Sequence, residues 1–159
     1  MPSIFEVKDG KRTIQFRGQK LAASSSRARY SSRWIEFTLY KTEGGTYVLH
    51  RLGVSTIFHA STCELVTKYG LHETYNVDLS TTAHPCEECR PSASDPLVYP
   101  ELDRHWTLTT KDPEAILKAL YRPDGSGGRY LTKVAERLLD DASDVDSEID
   151  AAYRVQYLI

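Results

Sequence analysis

Long apolar runs are missing from this chain. No stretch among its 159 residues approaches the roughly 20 apolar residues that a membrane-crossing helix needs. The opening MPSIFEVKDGKRTI carries no apolar stretch behind a basic start, so a secretory leader is not expected and the expected compartment is cytoplasmic. Methionine occurs once and phenylalanine four times, against ten tyrosines. That balance favours strands and amphipathic surfaces over a greasy interior. Cysteine is scarce and odd in number, and three cannot all pair within one chain, which argues against a disulfide framework. Catalytic signatures are missing as well: there is no P-loop, no GxSxG elbow and no HExxH pair. No acid/base pair or nucleophile stands out, so an enzyme, nuclease-like for instance, ranks last among the readings.

What is present is an ordinary globular composition, 40% hydrophobic and 26% charged, long enough to bury a core. The net charge of −2 hides a segregation. Residues 1–60 hold ten Lys/Arg against four Asp/Glu, or +6; residues 61–100 hold two against six, or −4; residues 101–159 hold eight against twelve, again −4. A basic front suits a nucleic-acid face with an acidic, shielding end, and equally suits two halves that attract each other.

The front half reads as strands. SIFEVK and RTIQFR alternate around the turn DGK, and RWIEFTLYKT is joined by EGG to TYVLHRL, with Ile35, Phe37 and Leu39 in phase. Gly53 is expected to break that run before VSTIFH, a further strand ending on His59. Residues 19–33, QKLAASSSRARYSSR, read as a basic, serine-rich loop. Within it and just beyond, Arg27, Arg29, Tyr30, Arg33 and Trp34 combine cations with aromatic rings. Such a set either is solvated or contacts nucleic acid, guanidinium groups on phosphates and rings on bases. The last third reads as helices. Asp112-Pro113-Glu114 is a start signal, with Ile116, Leu117, Leu120 and Tyr121 on one face. A second helix is expected from about Arg129, carrying Tyr130, Leu131, Val134, Leu138 and Leu139 inward. A third is expected after a cap at Ser143 or Asp144, with Val145, Ile149, Ala152 and Tyr153 inward. The glycine-rich DGSGG between the first two is a linker or a phosphate-binding turn, and it lacks the preceding strand of a phosphate loop. The acids of DDASDVDSEID are not spaced as a calcium loop; they form a solvated helix start or a surface for a basic partner.

The densest chemistry lies in His59, Cys63, Cys86 and Cys89. H-x3-C and C-x2-C are two chelating pairs, and together they supply the four soft or borderline ligands that tetrahedral Zn²⁺ takes. The pairs bracket 22 residues with few large apolar anchors, a loop that a metal would staple. An inert thiol pair and a redox dithiol are the competing readings, the latter weakened by the lack of a βαβ context. His84, two residues before Cys86, competes with His59 as fourth ligand, and His72 is a weaker candidate; His50 and His105 read as ordinary.

STIFHASTC followed by HPCEECRP resembles the zinc-binding module at the N-terminus of Ada-type DNA-repair proteins, over residues 53–91 only. Phe58-His59 matches the module's opening, Cys63 its second ligand, and Cys86 and Cys89 the pair framed by Pro85 and Pro91. The resemblance implies a zinc scaffold. In that family the first ligand is a cysteine that accepts a methyl group from DNA phosphate; His59 stands there instead, and an imidazole is no equivalent acceptor.

The expected architecture is α+β: a small antiparallel sheet with a zinc-stapled loop, then two to three short C-terminal helices. Residues 1–110 form the β-rich, zinc-binding portion and 111–159 the helical portion, one compact domain together. The expected function is a non-enzymatic, zinc-stabilised protein contacting nucleic acid through its basic N-terminal half. The alternative is a protein-interaction or inhibitor module, of the small phage- or plasmid-type, acting through its acidic helical end.

Overall fold

Five antiparallel strands and three helices carry the fold, in a computed structural model that describes residues 3–28, 33–55, 59–60, 74–75 and 103–155. The chain divides into two compact units, one of residues 1–27, 35–53 and 104–159, the other of residues 28–34 and 54–103. The sheet, which belongs to the first unit apart from residues 33–34 and 54–55, runs β1 (Ser3–Asp9), β2 (Arg12–Ser25), β3 (Arg33–Thr42), β4 (Tyr47–Ser55) and β7 (Arg104–Thr110), in that order. The expected DGK turn joins β1 to β2, pairing Asp9 with Arg12 and Phe5 with Phe16. In the second unit, β5 (His59–Ala60) and β6 (Thr74–Tyr75) form a two-residue parallel pair.

β2 is the element the sequence hid. Its 14 residues extend into the stretch expected to be a loop, because its first half pairs β1 and its second half pairs β3. A register shift between Lys20 and Ala22 breaks the period-two alternation there. The serine end of β2 is held by helix contacts: Ser24 Oγ donates to Val134 O at 2.7 Å, and Arg137 donates to Ser25 O at 3.0 Å.

The bend in β2 turns β1 back toward β7. Gly10 N donates to His105 O at 2.9 Å, Thr107 Oγ1 to Lys8 O at 2.8 Å, and Thr107 N to Asp9 Oδ1 at 3.1 Å. The sheet therefore curls until its two edges touch at one corner, which leaves less open edge for foreign pairing. Its concave face holds the Phe5, Phe16 and Tyr40 rings, with centroids 4.9–5.7 Å apart. Gly18 sits where β2 passes from one partner to the other, paired to both Ser3 and Thr42. A Cβ there would lie 2.2 Å from Lys41 O and 2.8 Å from Thr42 Cα, both backbone atoms that cannot swing aside. Gly18→Ala is expected to lower stability by about 3 kcal/mol, the upper end of over-packing costs, read as a shifted urea midpoint. An unchanged midpoint would show that β2 and β3 separate freely at this point.

The convex face carries Leu21, Ala22, Phe37, Leu39, Tyr47 and Leu49, and the helices cover it. Helix α1 (Pro113–Leu120) starts as read: Asp112 accepts from Glu114 N at 3.0 Å, proline opens the first turn, and Ile116, Leu117 and Leu120 are buried. Helix α2 (Lys133–Ser143) begins four residues later than the expected Arg129. Arg129 and Tyr130 are instead strand β9, paired with β8 (Arg122–Pro123), and Thr132 caps the helix by accepting from Ala135 N at 3.3 Å. Val134, Leu138 and Leu139 are buried as expected, while Tyr130 is exposed. Helix α3 (Ser147–Arg154) is capped by Asp146, not by Ser143 or Asp144. Ser143 still belongs to α2, and Val145 lies exposed between the helices, whereas Ile149 and Ala152 are buried.

Asp146 does more than cap. Its carboxylate accepts from Glu148 N and Ile149 N at 3.1 and 2.9 Å, from the Tyr47 hydroxyl at 2.9 Å, and from Lys41 Nζ at 2.8 Å. The cap of α3 is thus also the bolt between α3 and strands β3 and β4.

Candidate functional site: an arginine-lined groove

The convex face changes character where the helices stop. Along β4 its positions read Tyr47, Leu49, Arg51, Gly53; the paired positions on β7 read Thr110, Leu108, Trp106, Arg104. Tyr47, Leu49 and Leu108 lie under helices, whereas Arg51, Trp106 and Arg104 continue the same rows past the end of α1. There the chain leaves α1 through Tyr121, whose extended backbone starts the β8–β9 hairpin with Arg122 opposite Tyr130. Sheet and hairpin enclose a groove of about 430 Å³ lined by Arg51, Trp106, Arg122 and Tyr130 over an apolar floor that includes Phe37 and Leu120. That volume falls within the range of ligand sites.

Arg51 and Arg122 make the groove cationic. Partial burial, and then the Arg122 and Arg104 charges, push the Arg51 guanidinium below its ordinary pKa, though an arginine stays charged at any physiological pH. Among the described residues neither Arg51 nor Arg122 has an ion-pair partner. Gly53 is what admits Arg104: a Cβ there would lie 2.9 Å from Arg104 Nε and 3.0 Å from its Nη2, so the missing side chain lets the guanidinium lie across β4. Gly53 therefore does not end the strand, as expected from the sequence; it lies within β4. The two aromatic rings are open, Trp106 at 42% and Tyr130 at 47% exposure. Neither stacks on another ring among the described residues. Guanidinium groups beside free aromatic faces can hold a phosphate and a base at once.

The DGSGG stretch closes the β8–β9 hairpin and opens no helix. Asp124 Oδ1 accepts from Ser126 N at 2.8 Å, Ser126 Oγ at 2.9 Å and Gly128 N at 3.0 Å, which occupies the amides a phosphate would use. These hydrogen bonds hold the Asp124 carboxyl below its ordinary pKa. The turn is a hairpin linker.

The residues singled out from sequence are placed unevenly. Arg27 and Arg33 are exposed, Trp34 is buried at 6% exposure, so its ring is no open stacking platform, and Arg29 and Tyr30 lie outside the described residues. His59 begins β5, opposite Thr74. Cys63, Cys86 and Cys89 lie outside the described residues, as do His72 and His84. Among the described residues no three His, Cys, Asp or Glu side chains gather as a metal site.

Sequence reading missed two constellations. The charged and open aromatic residues of the groove come from β4, β7, β8 and β9, and only the register of β4 on β7 brings Arg51 beside Trp106. On the concave face, His50 and His105 are diagonal neighbours, with Nε2 and Nδ1 3.0 Å apart and the rings stacked at 5.2 Å. Burial, and then the neighbouring His105, hold His50 below its ordinary pKa. Both histidines had read as ordinary because alternation shows which face a residue takes but not which strand adjoins it. No family model, curated protein or solved structure matches this chain.

Proposed function

We propose that the protein is a non-enzymatic binding protein that contacts nucleic acid through the arginine-lined groove and whose loop between Cys63 and Cys86 is stapled by zinc. The observation that carries the nucleic-acid reading is the partly buried Arg51, set beside Arg104 and Arg122 without a carboxylate partner of its own among the described residues. Like charges held together in a hollow raise its affinity for an anion, and the open Trp106 and Tyr130 rings suit a ligand that carries bases. The zinc reading rests on the spacing of His59, Cys63, Cys86 and Cys89. No helix among the described residues is long and apolar enough to cross a membrane.

The test is binding of labelled DNA and RNA across a salt series. Affinity is expected to fall steeply with salt, and Arg51→Ala with Arg122→Ala should weaken binding about 10-fold or more and flatten the slope by about one for each phosphate no longer neutralised. Arg27→Ala with Arg33→Ala, made separately, measures what the basic stretch adds. No binding at low salt, or binding indifferent to all four arginines, would sink the reading. The alternative of a protein-interaction or inhibitor module at the acidic helical end has less behind it. Asp146 and Glu148 hold Lys41, and Asp150 holds Arg154 at 2.6 Å, so part of that acid serves the fold itself.

A further inference from the structure

We infer that the groove takes an unpaired nucleotide, one base together with its phosphate, and not a duplex. The inference rests on the nucleic-acid reading above and names its ligand class.

Shape is the first argument. A duplex shows a protein only the edges of its bases, at the bottom of grooves that a helix or strand must enter. The site here is a hollow between the sheet and the hairpin. A hollow can receive a base only when the base has left its stack.

The distribution of chemistry is the second. Half-buried Ile35 and buried Phe37, Leu120 and Val134 give the hollow apolar lining, whereas the charge comes from Arg51 and Arg122. A phosphate backbone alone has no use for apolar lining, and an apolar ligand alone has no use for guanidinium groups that pair with no carboxylate among the described residues. A nucleotide uses both, its base against the apolar residues and rings, its phosphate on the cations. Trp106 from the sheet and Tyr130 from the hairpin present their rings without stacking on any other ring among the described residues. Two hydroxyls at the hollow, those of Ser26 and Thr132, already accept from the amides of Ile35 and Ala135 at 2.9 and 3.3 Å. Each therefore keeps its proton to donate, which suits the carbonyl and ring-nitrogen acceptors along a base edge.

The experiment compares three probes on the full chain: a short labelled single strand, the same strand annealed to its complement, and a 5′-mononucleotide as competitor. The single strand should bind at least about 10-fold tighter than the duplex, with quenching of tryptophan emission. Because Trp34 is buried, the quench should vanish in Trp106→Phe, while affinity is largely kept by the substituted ring. Trp106→Ala and Tyr130→Ala should each weaken the single strand about 10-fold, with little effect on duplex binding. Competition by the mononucleotide would assign the site to free nucleotides; failure to compete would assign it to the strand; both support an unpaired nucleotide. Equal affinity for duplex and single strand, unmoved by Trp106→Ala and Tyr130→Ala, would overturn the inference and leave the nucleic-acid reading standing. Absence of binding to any of the three probes would overturn that reading as well.

Discussion

Asp146→Ala should destabilise the fold by about 4 kcal/mol, enough to threaten a domain whose total stability is of the order of 5–15 kcal/mol. Two losses combine at this one carboxylate. The first is the helix cap: Glu148 N and Ile149 N lose their acceptor, which typically costs about 1 kcal/mol. The second is the cross-tie. Asp146 is only 6% exposed and accepts from both Lys41 and Tyr47, so alanine leaves a half-buried ammonium with Glu148 alone, at 3.3 Å, and a buried hydroxyl with one partner in place of two. Removing one member of such a pair costs more than the pair contributes, because the other member stays desolvated. Asp146→Asn separates the two losses: the amide oxygen still caps α3, while the charge facing Lys41 is gone.

The same carboxylate sets an acid limit. Burial alone would raise the Asp146 pKa, but Lys41, the Ile149 amide and Tyr47 outweigh it and leave the group below its ordinary value. The folded state therefore binds this proton less readily than the unfolded chain does. The resulting stabilisation is complete above the unfolded pKa of about 4 and is lost as pH falls through the lower, folded value. Lys41 and Tyr47 are both raised, Lys41 chiefly by its hydrogen bond to Asp146 and Tyr47 chiefly by burial, so neither changes charge in that window. The gap in denaturation midpoint between wild type and Asp146→Asn should hold steady from about pH 5 to 7 and close below about pH 4. A gap that persists at low pH would show that packing, not charge, joins α3 to the sheet.

Asp146 also shows where reading the sequence stops. In DDASDVDSEID the expected cap is Ser143 or Asp144, and Asp146 is a residue of nearly equal local preference. What selects Asp146 is Lys41 and Tyr47, about a hundred positions away, so the choice is tertiary. At Asp112 nothing competes, since proline and glutamate follow directly, and the cap is legible. The strands divide in the same manner. β3 alternates cleanly, and Ile35, Phe37 and Leu39 take the helix-covered face as expected. β2 has a register shift at Leu21, two successive partners and serines tied to α2, and each of these hides a strand from a period-two pattern. The groove was illegible for a further reason. Arg51 and Arg122 each look like ordinary surface charges, and their repulsion exists only once β4, β7 and the β8–β9 hairpin are assembled.

Cys86→Ser should abolish zinc retention, taking metal content from about one per chain to near zero in elemental analysis after exposure to a competing chelator. A serine hydroxyl is not deprotonated at neutral pH and is a poor ligand for a borderline-soft ion, so three ligands remain where four are needed. The structural cost should be large, because apparent zinc affinities of such sites amount to about 10–16 kcal/mol and appear as folding free energy. In this chain that energy would act across the 22 residues between Cys63 and Cys86, where the described backbone is Thr74–Tyr75, paired over two residues only with His59–Ala60 ahead of Cys63. So short a ladder contributes little cohesion by itself. His59→Ala and His84→Ala identify the fourth ligand by which of them loses metal. The identity of that ligand bears on chemistry as well as on stability. With His59 at the first position of the proposed site the sulfurs would serve to hold the ion, so treatment with a methylating agent should leave zinc content unchanged at doses that modify a free thiol. His59→Cys would supply a fourth thiolate, making the site more electron-rich and a better nucleophile, and zinc should be retained while alkylation becomes measurable by mass. A Cys86→Ser chain that keeps its metal and melts with wild type would exclude the staple.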